Sequence, residues 1–271
     1  MFRVRGVLSA LLGIALCAAG PLFAAAAGDA NELRLGSVAM DIPAEMHRRL
    51  TPLTKYLSDT LKQPVRLKLS PSMTAAIEEV SKNEVDLAYL TPVAYLKARE
   101  RGDAQLVVKT LTNRKTSFQL MIVVREDSLI KRVQDLKGKT FAFGDKAAIL
   151  QRAVVVGAGM PLEGLGEYKF IGHYDNIAKG VASGDFDAGI LKDTMAHDWQ
   201  KRGLRVLHSS PPLPPYNIVA SSKADAKLLK RIRQAFLALT MYRKGKIQIF
   251  PQSVSGVDEI RKLFDIVEKN K

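Results

Sequence analysis

The sequence predicts an α/β fold with mainly parallel sheets, and three observations carry that prediction. Strand-like and helix-like segments alternate along nearly the whole chain, several of the strands are continuous apolar runs, and most runs pass through a turn or capping residue straight into a helix. VDLAYL (85–90) is the clearest case, because Thr91-Pro92 follows it as a helix cap and a first-turn proline. A strand apolar at successive positions is buried on both faces, which is what helices on both sides of a sheet produce.

Taken in order, ELRLGSVAM (32–40) reads as a strand. Asp41 offers an N-cap and Pro43 sits in the first turn of a helix bearing Met46, Leu50, Leu53, Leu57 and Leu61 at helical spacing. VRLKL (65–69) alternates as a strand, Ser72 to Ser81 reads as a short helix, and the helix after Thr91-Pro92 ends at Gly102. QLVVKTL (105–111) and FQLMIVV (118–124) are further strands. The middle of the chain repeats the alternation: FAF (141–143), a helix over 147–158, YKFIG (168–172), a helix from Asp175 to Ser183, FDAGIL (186–191), a helix from Asp193 to Arg202, and LRVLHS (204–209). SSPPLPPYNIVAS (209–221) reads as an extended connection because its prolines cannot continue a helix. Helices over 223–242 and 257–269 close the chain.

Residues 1–27 are set apart as a secretory signal: Arg3 and Arg5 precede the apolar run Val7 to Ala19, which ends near Ala25-Ala26-Ala27. The mature protein is expected in the periplasm. Cys17 follows Leu16 where a lipoprotein signal wants a small residue, so it is read as part of the discarded segment and not as a lipid anchor. Loss of the leader leaves no cysteine, which excludes disulfides, thiolate catalysis and Cys-based metal sites. Lys+Arg 41 against Asp+Glu 27 gives +14, and losing Arg3 and Arg5 lowers it by two, to +12. That surplus favours an anionic partner, although it also serves to solvate the surface. Nucleic acid is not expected, since the chain has no zinc-finger spacing, RNP-type aromatic motif or basic arm.

Enzyme motifs fail on inspection. GKT (138–140) lacks the P-loop glycine, which is Val133 here, and GAGMPLEG (157–164) has Leu162 where a dinucleotide fingerprint needs a small residue. GVASG (180–184) misplaces the serine of a nucleophile elbow. His47, His173, His197 and His208 show no ligand spacing, so no metal, cofactor or catalytic residue is expected.

Four stretches, VDLAYLTPVAY (85–95), DLKGKTFAFGD (135–145), GHYDNIAKGVASGDFDAG (172–189) and SPPLPPYNIV (210–219), resemble in order and spacing the phosphate, phosphite and phosphonate substrate-binding proteins of ABC importers. The resemblance covers residues 32–245. It implies a type II periplasmic binding protein fold, two α/β lobes joined by two crossover segments, with lobe 1 built from 28–118 and 216–271 and lobe 2 from 119–215. The crossovers would lie near Thr116 to Gln119 and Pro214 to Asn217.

The resemblance also implies a ligand site. In the family, hydroxyl residues and backbone N–H groups at the helix N-terminus after the FAFGD strand hold an oxyanion. Here Asp145, Lys146 and Ala147 lead into Ala148, Ile149 and Leu150 at the hydroxyl positions, so backbone donors are expected to remain without side-chain ones. His173 is expected either to face the cleft or to cap the next helix. Ser117 replaces an aromatic hydroxyl and Tyr216 an acid that recognises an amino group. Asp193 supplies acidity or an N-cap, Thr91 and Tyr95 follow the end of a strand, and Lys192 stands with Lys146 at a helix head. The function implied is a monomeric carrier that captures a small anionic molecule by hinge closure and delivers it to a membrane ABC permease. The rivals are presentation to a membrane sensor and an enzyme using His173 and Asp193 as acid and base.

Overall fold

The computed structural model describes residues 31–38, 40–111 and 115–239 and the backbone strand 248–250. Its elements run β1 (Leu33–Val38), α1 (Pro43–Leu61), β2 (Val65–Ser70), α2 (Met73–Ser81), β3 (Leu87–Leu90), α3 (Pro92–Gly102) and β4 (Gln105–Leu111). The middle continues with β5 (Leu120–Arg125), β6 (Thr140–Phe143), α4 (Ile149–Gly157), β7 (Glu167–Phe170), α5 (Tyr174–Ser183), β8 (Ala188–Lys192), α6 (Asp193–Gln200) and β9 (Leu204–Ser209). The chain then forms β10 (Asn217–Ala220), α7 (Ala226–Ala238) and β11 (Gln248–Phe250).

Two sheets result, in the orders β11-β4-β10-β3-β1-β2 and β7-β6-β8-β5-β9. Apart from β11 they share one plan, in which the strand fed by a crossover, β10 in one lobe and β5 in the other, lies antiparallel between two strands of common direction. The expectation of mainly parallel sheets is therefore corrected: among the described residues four of the nine pairings are parallel and five antiparallel. Strand direction leaves no mark on hydrophobic pattern, so the strand returning from the other lobe reads like its neighbours.

The crossovers meet. Phe118 and Leu213 form an antiparallel bridge, with Phe118 N–H donating to Leu213 O at 3.1 Å and Leu213 N–H to Phe118 O at 2.8 Å. Ser210 extends the pairing: its N–H reaches Leu120 O at 2.9 Å, and its hydroxyl accepts from Leu120 N at 3.1 Å.

Helix α1 buries Met46, Leu50, Leu53, Leu57 and Leu61, the stripe the spacing predicts. Asp41 does not cap it. The N-cap is Ile42, with no side-chain bond, and Asp41 instead pairs with Arg49 across two turns (Nη1 to Oδ2, 2.5 Å). Near the C-terminus α7 is shorter than expected, capped by Asp225, whose Oδ1 accepts from Leu228 N at 2.7 Å. The expected helix over 257–269 lies outside the described residues.

Gly102 ends α3 against α2, and a Cβ there would stand 2.2 Å from Ser81 O and 2.5 Å from Ser81 Cα. Since the obstacle is backbone, it cannot swing away. Gly102→Ala is expected to cost about 1–3 kcal/mol, a fall of several degrees in Tm by circular dichroism; a melt unchanged within a degree would show that the helices are not this close.

Candidate functional site

Loops at the C-terminal ends of the parallel strands of both sheets come together, the place where open α/β sheets put their ligands. Met40 follows β1, Met73 follows β2, and Thr91 and Val93 follow β3; from the second sheet Ala147 to Gln151 follow β6 and Tyr174 follows β7. Phe118, Leu120 and Tyr216 complete the lining from the crossovers. The space these side chains leave is about 20 Å³, room for roughly one water.

Two hydrogen bonds join the lobes across this space. Asp145 directs Oδ2 to the N–H of Met73 at 2.7 Å, beside the Ser72 cap of α2, while its Oδ1 accepts from Ala147 N at 2.7 Å. A carboxylate at a helix N-terminus satisfies an unpaired donor and opposes the helix dipole. The second bond runs from Tyr174 N–H to Met40 O at 3.1 Å.

The turn that opens α4 departs from expectation. Its N-cap, Ala148, gives no side-chain bond, and the backbone donors fold back on the turn itself: Ala148 N to Asp145 O at 2.9 Å, Ile149 N to Ala147 O at 3.0 Å and Gln151 N to Ala148 O at 3.1 Å. Donors used internally are not free to cradle an oxyanion, and the side chains of Ala148, Ile149 and Leu150 form a buried apolar wall here. Gln151 is the polar residue within this wall. It is 2% exposed, and its Oε1 accepts from Gly144 N at 2.7 Å while its Nε2 has no hydrogen-bond partner. Gly144 must lack a side chain here, because a Cβ would meet Gln151 Nε2 at 2.9 Å and Gly172 O at 3.0 Å.

Next to the apolar space lies a charged and phenolic floor. The Lys192 ammonium sits 4.5 Å from the centre of the Tyr216 ring and 5.4 Å from that of Phe118; Tyr216 in turn packs on Tyr89 at 5.3 Å and edge-on to Phe118 at 5.2 Å. Desolvation pulls Lys192 down to about 8 against the opposing pull of Asp193 and Asp41. Burial raises Asp41 despite Arg49 and Lys192, and pushes Tyr174 up to about 12 while the neighbouring Tyr216 and Gln151 draw it back. Burial also holds Tyr89 and Tyr216 above the ordinary phenol range.

Of the residues singled out in the sequence, Thr91, Ala147, Ala148, Ile149 and Tyr216 line the enclosed space, with Thr91 Oγ1 also capping α3 through Ala94 N at 3.2 Å. Asp145 bridges the lobes, and with exposed Lys146 it borders an outer groove of about 490 Å³ that also contains Ser72, Thr74 and Phe170. The others are not brought to the enclosed space. Tyr95 is 3% exposed in the lobe 1 core, where burial raises its phenol and Arg99 and the Leu106 backbone lie beside it. Ser117 is half-buried next to Phe118, which takes the lining position. His173 is the N-cap of α5 without a side-chain cap bond, so the capping alternative fails. Asp193 is not an N-cap either; it begins α6, and its carboxylate accepts from Gln119 N at 3.2 Å and Thr194 N at 2.8 Å, tying lobe 2 to a crossover. Sequence reading missed Met40, Met73, Phe118, Gln151 and Tyr174. Only Gln151 gave a signal, as a glutamine in the otherwise apolar stretch AAILQ.

A buried ammonium with a lowered pKa binds fewer protons folded than unfolded, so stability should rise with pH from about 8 towards 10, beyond which the raised tyrosines act in the opposite sense. In Lys192→Met the Asp41 and Asp193 carboxylates keep Arg49 and their backbone donors, and urea denaturation should show that rise flattened. Parallel stability curves for parent and variant would mean the ammonium is solvated.

The family described as "ABC transporter, phosphonate, periplasmic substrate-binding protein" matches residues 35–262. The phosphate-import protein PhnD of Mycolicibacterium smegmatis is 24% identical over 190 residues, 65% of this chain and 59% of that protein, so the chain spans under two thirds of this relative's length. Among solved structures, a binding protein component of an ABC phosphonate transporter from Pseudomonas aeruginosa aligns with a TM-score of 0.78 at 16% identity, over 88% of this chain and 87% of that one. PhnD1 from Prochlorococcus marinus, in complex with methylphosphonate, gives 0.75 at 18% identity, over 87% and 99%. The alkanesulfonate-binding protein SsuA from Xanthomonas axonopodis, bound to MOPS, gives 0.65 at 16% identity, over 90% and 94%. At these identities the structural likeness concerns the fold, two α/β lobes of the type II periplasmic binding kind. The family match, over well more than half of the length, carries the assignment: the chain belongs to the periplasmic substrate-binding proteins of phosphonate ABC transporters.

Proposed function

We propose that this chain is an exported carrier that captures a small molecule between its lobes and presents the closed form to a membrane ABC permease. The lobes are 28–118 with 216–271 and 119–215, residues 1–27 are removed as a signal, and the carrier works as a monomer in the periplasm. The observation that supports this best is the crossover pair at Phe118 and Leu213, beside which the strand ends of both sheets meet. A hinge formed by two short paired segments lets two rigid sheets rotate without unfolding either. Ligand that touches both walls binds the closed form more tightly than the open one, and that difference drives closure. The role is capture and not catalysis, and the surplus of positive charge draws anionic solutes toward the cleft without fixing which of them stays.

Capture predicts compaction. Small-angle scattering should show a smaller radius of gyration when a stoichiometric ligand binds; an unchanged radius with such a ligand in place would exclude hinge closure.

The apolar α4 turn predicts weak binding of phosphate and methylphosphonate, because each charge-assisted hydrogen bond missing from the cradle is worth roughly 1.5–3 kcal/mol. In calorimetry neither should reach a submicromolar Kd. Ala148→Ser, which restores one hydroxyl, should tighten methylphosphonate about tenfold or more; submicromolar binding by the unaltered protein would show that the lysines compensate.

A further inference from the structure

The cleft has an apolar wall and, buried within it, a neutral amide donor without a hydrogen-bond partner, and the two together point to a class of ligand. Gln151 lies in the first turn of α4, and its amide is oriented by Gly144: the backbone N–H can only donate, so the end it meets at 2.7 Å is the oxygen and the other end is the NH₂. That NH₂ is buried among the residues of the enclosed space and makes no hydrogen bond, although Tyr174 lies near enough to feel the amide. A buried donor left unpaired is unfavourable, and it is retained at least cost where a ligand atom pairs with it. Around it stand Met40, Met73, Ile149 and Leu150, all buried and none with a charge. Of the backbone donors at the turn, those of Ala147, Ala148, Ile149 and Gln151 are taken up within it, and the N–H of Met73 is taken by Asp145.

We infer that the ligand is a small aliphatic carbonyl compound, a carboxylate or an amide, whose carbonyl-type oxygen accepts from Gln151 Nε2 while its hydrocarbon part lies between Met40, Met73, Ile149 and Leu150. This rests on the capture reading above and narrows its substrate class. One neutral NH₂ suits one sp² oxygen, whereas a phosphonate would bring two or three charged oxygens to a wall built mainly of apolar side chains. The room required comes from the two methionines, whose unbranched thioether chains change rotamer at small cost.

Isovalerate, isovaleramide and methylphosphonate are the probes that test this, each titrated calorimetrically into the unaltered protein, Gln151→Glu and Gln151→Met. Gln151→Glu keeps an acceptor for Gly144 N–H and puts a carboxyl oxygen, an acceptor when ionised, in place of the NH₂; Gln151→Met removes both the amide oxygen and the NH₂ without adding charge, and serves if the buried carboxylate impairs folding or stays protonated. The expected result is one-to-one binding of isovalerate or isovaleramide, the stronger of the two telling the charged from the neutral form, with affinity falling at least tenfold in the variants. Tighter binding of methylphosphonate, binding of neither carbonyl probe, or affinity indifferent to both variants would each overturn the assignment. Scattering on the same samples keeps the two ideas apart. Methylphosphonate that binds and compacts the protein leaves capture standing and the carbonyl assignment fallen; a carbonyl probe that binds through Gln151 without compaction does the reverse.

Discussion

Among the described residues the chain crosses between its sheets twice, and its backbone polar groups need partners at each crossing. They find them in each other. The reciprocal bonds between Phe118 and Leu213, continued by Ser210 to Leu120, make a two-stranded ribbon out of segments that a single crossing would leave unpaired. From this constraint follows the antiparallel strand of each sheet, since a chain that arrives from the opposite lobe enters against the direction of its neighbours. It also fixes the location of the cleft. Phe118 and Tyr216, set by the ribbon, form its back, and the strand ends of both sheets form its walls.

Chemistry divides within the cleft. One region is apolar, where Ala148, Ile149 and Leu150 face Met40 and Met73. The other is polar, where Lys192 rests on Tyr216 and Phe118 near Asp41 and Arg49. The carboxylate of Asp145 at the N-terminus of α2 and the Tyr174–Met40 backbone bond hold the lobes together across the apolar region. Asp41 is paired with Arg49, while the Lys192 ammonium is held against the Tyr216 and Phe118 rings.

Much of the fold was legible in the sequence because burial writes itself into apolar spacing. The α1 stripe and the continuous β3 run are both cases in which position along the chain determines exposure. Strand direction was not legible, nor was the fate of Asp41, whose choice of Arg49 over a helix cap depends on a partner eight residues away. At the cleft, substitution of hydroxyl positions by Ala148, Ile149 and Leu150 was visible, and their burial agrees with it. The refolding of the backbone donors onto Asp145, Ala147 and Ala148 was invisible, since it depends on φ and ψ at the turn and not on residue type. Gln151 and Tyr174 were passed over for a similar reason: their roles come from residues brought beside them by the fold, Gly144 in one case and Met40 in the other.

The central claim is that the turn opening α4 offers the ligand an apolar wall and the Gln151 amide in place of an oxyanion cradle. Mass spectrometry of the small molecule released by denaturing protein purified from its own cells tests it most directly. The account predicts a phosphorus-free compound bearing a carboxylate or amide on an aliphatic body, retained at close to one per chain. Stoichiometric release of phosphate or a phosphonate would contradict it.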